Sequence, residues 1–189
     1  MKKCGRGSVF FVSDFISYGT RSSVNKALER MTAEGVILRV ARGIYCYPKI
    51  DRFWGLGTLL PSVEDIVGAM ARRDGAHVIP ADAWAQYQIG LTQQVPMNYV
   101  YLTDGPSRSV EVGEKCSIVL KHASPRYFTM KDPLAQMFAT AFREWKVKDL
   151  DKEQVSKLKK LVAEHGSFPI EDLKLMPANV REFVQSLMK

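Results

Sequence analysis

Residues 20–47 read TRSSVNKALERMTAEGVILRVARGIYCY. Val24, Ala27, Leu28 and Met31 recur at i, i+3, i+4 and i+7, the spacing that lays one apolar stripe along a helix. Thr20 or Ser22 can cap its start, because a hydroxyl there accepts from an otherwise unpaired N–H. Gly35 ends it after Glu34, since glycine tolerates the left-handed backbone of a helix end. The opposite face carries Ser22, Asn25, Lys26, Glu29 and Arg30, with Arg21 in the first turn. Residues 36–40 and 44–47 are β-rich runs about the tight turn Ala41-Arg42-Gly43, and Pro48 closes the second. The stretch therefore predicts a helix followed by a two-stranded hairpin.

Upstream, residues 9–18 read VFFVSDFISY. Ser13 can cap a short helix with Asp14 in its first turn, and Tyr18-Gly19 stops it. Two short helices joined by a glycine-containing turn, then a hairpin, is the order of a winged helix-turn-helix. Such a second helix fits the major groove by its first turns. Arg21, Ser22, Ser23, Asn25 and Lys26 crowd that end. Arginine can fork onto guanine, asparagine can pair with adenine, and serine and lysine meet phosphate. Arg30 lies further along and suits the DNA backbone, while Arg39 and Arg42 sit on or beside the wing, suited to phosphate or the minor groove. Any single amphipathic helix is more often just a solvated face; the hairpin that follows and the local charge favour nucleic acid.

The charge is unevenly placed. The 189 residues carry a formal +7. Residues 1–60 hold ten basic residues against four acids, a net +6. A concentrated positive field fits a polyanion, although on charge alone a solvated basic face fits equally well. Cys4, Cys46 and Cys116 are widely spaced and odd in number, and none lies at zinc-ligand spacing to His77, His122 or His165. They read as free thiols of a reduced cytoplasm, so neither a metal nor a cofactor is expected. No apolar run is long enough to span a bilayer, and the basic N-terminus lacks the long apolar segment and cleavage site of a secretory signal.

Beyond residue 50 the expected pattern is α+β. Residues 49–61 read as a linker with aromatics. Ser62 and Asp65 form a capping box for a helix through Arg73. Strands are expected at 77–80, 98–102, 108–112 and 116–122, with a helix at 82–90 between the first two. Together they suggest a mostly antiparallel sheet. Asp132-Pro133 opens a helix to about Trp145, Asp151 caps another with the stripe Val155, Leu158, Leu161 and Val162, and residues 167–189 give one or two short helices. The expected domains are a winged helix-turn-helix at 1–50 and a mixed α/β domain with an antiparallel sheet and helical C-terminus at 51–189. YLTDGPSR (101–108) could place Asp104 as a base or metal ligand and Arg108 as an anion clamp. Its Asp-Gly-Pro-Ser is also plain hairpin-turn chemistry. No second carboxylate, phosphate loop or nucleophile–base pair accompanies it, so no enzyme is expected.

The strings GRGSVFFVSDF, VNKALERMTAEG, ILRVARGIYCYP, ADAWAQYQIGLTQQVPMNYVYLTDGPSR and VLKHASP resemble the AbiEi-like antitoxins of type IV toxin–antitoxin systems. The likeness covers most of residues 5–126. It implies a winged helix that binds inverted repeats in its own promoter, with Arg21, Ser22, Ser23, Asn25 and Lys26 on the recognition helix and Arg39 and Arg42 on the wing. It further implies a cytoplasmic repressor and antitoxin that counters a nucleotidyltransferase toxin, an effect that need not involve a stable complex. Members of that family carry a further helix before the GRG segment; here Met1-Lys2-Lys3-Cys4 precede it. The alternative from the residues themselves is a non-catalytic regulator that binds protein or RNA through the same basic N-terminus.

Overall fold

Val9–Phe11 forms a strand, β1, in a computed structural model that describes residues 5–113, 116–143 and 146–189. Residues 9–18 read as a short helix capped by Ser13, with no strand before it. Instead β1 pairs antiparallel with β3 (Ile44–Cys46), Val9 opposite Cys46 and Phe11 opposite Ile44. The physical reason is burial: pairing with this distant strand sets the aromatic run Phe10-Phe11 in the core, where Phe10 packs with Val24, Leu28, Ile37 and Tyr45. The turn that follows is the 3-10 helix Val12–Tyr18. Its cap is Phe11, not Ser13, because the Asp14 carboxylate accepts the Phe11 N–H at 2.8 Å. Gly19 leaves it in extended backbone, φ 162°, rather than the left-handed conformation expected.

Helix α1, Arg21–Ala33, follows. Thr20 is its cap, accepting the Ser23 N–H at 3.2 Å. Gly35 has φ +69°, the left-handed stop its position requires. Val24 and Leu28 are buried with Phe10, Ile37 and Tyr45, and Met31 packs against them. Strand β2 (Leu38–Ala41) pairs antiparallel with β3, with an irregularity in register between Arg39 and Ala41. The three-stranded sheet has the order β1-β3-β2.

Residues 49–61 are not a plain linker. Lys49–Asp51 (β4) and Gly57–Leu59 (β5) pair as an antiparallel hairpin. Asp51 organises its tip, accepting the N–H groups of Phe53, Trp54 and Leu56. The expected capping box then starts α2, Val63–Asp74: Ser62 N–H donates to Asp65, and Asp65 N–H donates to the Ser62 hydroxyl.

The chain forms two compact units, Met1–Asp74 with Val110–Lys115, and Gly75–Ser109 with Cys116–Lys189. The first unit thus runs past residue 50, where the hairpin closed by Pro48 put the expected boundary, and takes in the β4–β5 hairpin and α2. In the second, β6 (Val78–Pro80), α3 (Asp82–Gln88), β7 (Asn98–Thr103) and β9 (Cys116–His122) come before five helices, while β8 (Arg108–Val112) is divided, Arg108 and Ser109 belonging to the second unit and residues 110–112 to the first. The helices are α4 (Arg126–Thr129), α5 (Pro133–Ala141), α6 (Lys152–His165), α7 (Ile170–Leu175) and α8 (Ala178–Leu187).

The sheet order is β6-β7-β9-β8. The architecture is α+β, as expected; strands β6 and β7 pair antiparallel, and the sheet expected to be mostly antiparallel also holds one parallel pair, β7 with β9. The turn at 104–107 is therefore not a hairpin turn; it crosses the end of β9, where Ser107 Oγ accepts the His122 N–H at 2.8 Å. Phe138, Leu102, Leu158, Val162, Val180 and Val184 centre this unit's core. Asp132 caps α5, accepting the Ala135 N–H, with Pro133 in the first turn. Helix α5 ends at Ala141, short of residue 145, and Trp145 lies outside the described residues. Asp151 and Gln154 form a reciprocal capping box on α6. Among the described residues, no helix is long and apolar enough to cross a membrane.

Candidate functional site

The first unit concentrates the basic side chains named from the sequence, and the fold sorts them into three groups. Arg21 opens α1, and Arg42 sits in the turn between β2 and β3. Both line one cavity of about 300 Å³ with Phe11, Val12, Ser13, Ile16, Gly43 and Arg73. Arg39, two residues before the turn, lies elsewhere. It lines a separate hollow with Glu29, Thr32, Ala33 and Tyr45, at the other end of α1. The irregularity between Arg39 and Ala41 separates the two arginines in the ladder. Glu29 shares the lining with Arg39, whereas no carboxylate lines the cavity around Arg21 and Arg42, so the cavity at the start of α1 is the more positive of the two.

The remaining candidates follow the faces of α1. Ser22, Lys26 and Arg30 are exposed, and Asn25 is half-buried. Arg30 is 3.9 Å from Glu34 in an exposed pair, the kind that contributes about 0–1 kcal/mol. Ser23 belongs to the other side: its hydroxyl meets that of Thr20 at 2.9 Å, and it lines an apolar hollow with Phe15, Tyr18, Val24, Ala27, Leu28 and Met31. Lys2 and Lys3, counted in the basic excess, lie outside the described residues. Arg6 is engaged locally, donating to the Pro48 carbonyl at 2.9 Å with its guanidinium 4.8 Å from the Tyr47 ring centre.

Arg73 was not singled out from the sequence. It ends α2, where a basic side chain is ordinary because it complements the helix dipole. Its guanidinium lies 4.2 Å from the Phe11 ring centre, and its Nε donates to Asp74 at 3.0 Å. Only the pairing of β1 with the sheet puts Phe11 there, so no local signal in the sequence could have marked Arg73. The tip of the β4–β5 hairpin is the other unanticipated feature: Phe53 is 93% exposed and Trp54 84%.

The cluster around Asp104 is differently built. Its carboxylate accepts the His77 N–H at 2.7 Å and meets His77 Nδ1 at 2.8 Å. The His77 side-chain bond, more than any other cause, holds the Asp104 carboxyl below the usual range. His122 Nδ1 is 3.0 Å from the Gly105 carbonyl. These bonds fasten the turn at 104–107 to β6 and β9. Among the described residues, no three His, Cys, Asp or Glu side chains are grouped to hold a metal ion. Trp84 is buried; its Nε1 donates to the Tyr101 hydroxyl at 2.8 Å and its ring stacks on Tyr87.

Among curated proteins, none matches the chain. Residues 1–167 match the model of DUF6088, described as a family of unknown function. With most of its length matched, the chain belongs to the DUF6088 family.

Proposed function

We propose that this chain is a DNA-binding transcriptional repressor and antitoxin acting in the cytoplasm, and that its first unit is a winged helix-turn-helix. One observation carries the DNA reading: Arg21, at the start of α1, and Arg42, in the β2–β3 turn, meet in one cavity whose lining holds no carboxylate. A 3-10 turn, a helix and a hairpin on a sheet of order β1-β3-β2 are the parts a winged helix uses to put one helix end in the major groove and its wing on the backbone. Ser22, Asn25 and Lys26 then face base edges and phosphates, and Arg30 and Arg39 lie further along. The antitoxin part rests on the resemblance of residues 5–126 to AbiEi-like proteins. It makes inverted repeats in the chain's own promoter the operator and a nucleotidyltransferase the toxin countered, with or without a stable complex. A gel-shift series on the upstream DNA tests the repressor part. Co-expression with a neighbouring nucleotidyltransferase tests the antitoxin part: growth should be rescued by the full chain, and failure of rescue removes it.

The second reading is a non-catalytic regulator that binds protein or RNA. The exposed pair Phe53 and Trp54 on a hairpin pinned by Asp51 favours it, because exposed aromatics serve as anchors in partner pockets and as platforms for unpaired bases. Trp54→Ala separates the two: it should leave duplex binding intact under the first reading and abolish partner or single-strand binding under the second.

A further inference from the structure

We propose that Arg21, Arg42 and Arg73 form one phosphate clamp. They come from three elements, the start of α1, the β2–β3 turn and the end of α2, yet line a single cavity of about 300 Å³. The other lining residues are Phe11, Val12, Ser13, Ile16 and Gly43, so the cavity presents three cations and a hydroxyl, with no acid in its wall. Three guanidinium groups repel one another unless an anion sits among them. Their planar forks match the oxygens of a phosphate and hold it through paired hydrogen bonds.

Arg73 is set in advance for this role. The Phe11 ring supports one face of its guanidinium at 4.2 Å. The Arg73 Nε donates to Asp74 at 3.0 Å. Its side chain is 29% exposed, enough for a ligand to reach it while its orientation stays fixed. Arg21 also stands at the first turn of α1, a helix of 13 residues, where the leading N–H groups lack intrahelical partners and favour an anion. The clamp deepens the DNA reading, on which the identity of the phosphate as a duplex backbone group rests. It reassigns Arg21 from guanine to the backbone and leaves sequence reading to Asn25 and its neighbours on α1. The same chemistry would take a free phosphorylated ligand.

The test uses the full chain, with duplex DNA and inorganic pyrophosphate as separate probes. The variants are Arg42→Gln, Arg73→Gln and their double, with Lys159→Gln on the exposed face of α6 as the control and circular dichroism to confirm folding. On duplexes, each single change should lower affinity about tenfold at 0.1 M salt and make the log–log salt slope shallower by about one unit. The losses should be equal on operator and scrambled sequences. They should fail to multiply in the double variant, because both side chains act on one phosphate. Lys159→Gln should change nothing. If the protein binds no duplex but shows pyrophosphate shifts in NMR spectra that Arg73→Gln abolishes, the clamp stands and the DNA reading fails. Duplex binding indifferent to Arg73→Gln, losses that multiply in full, or no response to either probe would overturn the clamp.

Discussion

Truncating Leu28 should be among the most damaging changes in the first unit. Leu28 is 1% exposed and packs in the cluster of Phe10, Val24, Ile37 and Tyr45. Leu→Ala at such a site costs about 2–5 kcal/mol, the sum of lost transfer energy and the cavity left behind. Here the lower half of that range applies. Leu28 also borders the apolar hollow of about 200 Å³ between α1 and the 3-10 helix, so neighbours such as Phe15 and Met31 can move into the space. A loss of about 2–3 kcal/mol lowers Tm by about 8–24 °C for a unit of this size. Lys26 lies on the opposite, exposed face, where substitution changes stability by about 0.5 kcal/mol or less. Thermal melts, with amide exchange along α1 to localise the effect, would measure both. Equal losses for Leu28→Ala and Lys26→Ala would refute the assignment of the helix faces.

Three further outcomes follow from side chains whose partners are known. The Asp51 carboxyl is held below its ordinary value of 3.8, first by the Leu56 N–H and then by that of Phe53. Its ordering of the hairpin tip is therefore complete above that value and lost as pH falls through the lower folded value, so the Phe53, Trp54 and Leu56 amide signals should stay unchanged down to pH 4 and shift only in stronger acid. Asp82, 5% exposed and at φ +52°, holds Lys121 at 3.0 Å, while its second oxygen faces Arg143 at 4.0 Å and has no hydrogen-bond partner among the described residues. Lys121→Met should destabilise the second unit by about 1–3 kcal/mol in denaturant titrations, whereas Asp82→Asn, which keeps a residue tolerant of the left-handed region, should be milder than Asp82→Ala. Asp104→Ala should speed exchange of the His77 amide, which loses its acceptor.

What the sequence discloses depends on how local the cause is. The stripe Val24, Leu28 and Met31 and the caps at Thr20, Ser62, Asp132 and Asp151 are written within one or two helical turns, and each stands where the pattern puts it. Strand β1 was not anticipated because Phe10 and Phe11 pair with the distant β3. The β4–β5 hairpin was misread as linker because its organiser is a single Asp51 binding three N–H groups, not a hydrophobic alternation. The parallel β7–β9 pair was invisible because Asp-Gly-Pro-Ser signals a turn without saying which strands it joins. At the candidate site, Arg21 and Arg42 were legible as basic residues beside a helix start and a turn. Their meeting with Arg73, and the separation of Arg39, are products of the tertiary fold.

The most direct test of the account is a salt series on operator and scrambled duplexes with wild type, Arg42→Ala and Asn25→Ala. Affinity of the wild type should fall steeply with salt, with a log–log slope of about −0.9 per phosphate contacted. Arg42→Ala should weaken binding to both duplexes and flatten the slope by about one unit. Asn25→Ala should keep the slope and narrow the gap between operator and scrambled DNA by about 1–3 kcal/mol, the worth of one bidentate base contact. A change of sequence preference on loss of Arg42 but not of Asn25 would reverse the roles of helix and turn, and wild-type protein with no salt-dependent duplex binding would contradict the account itself.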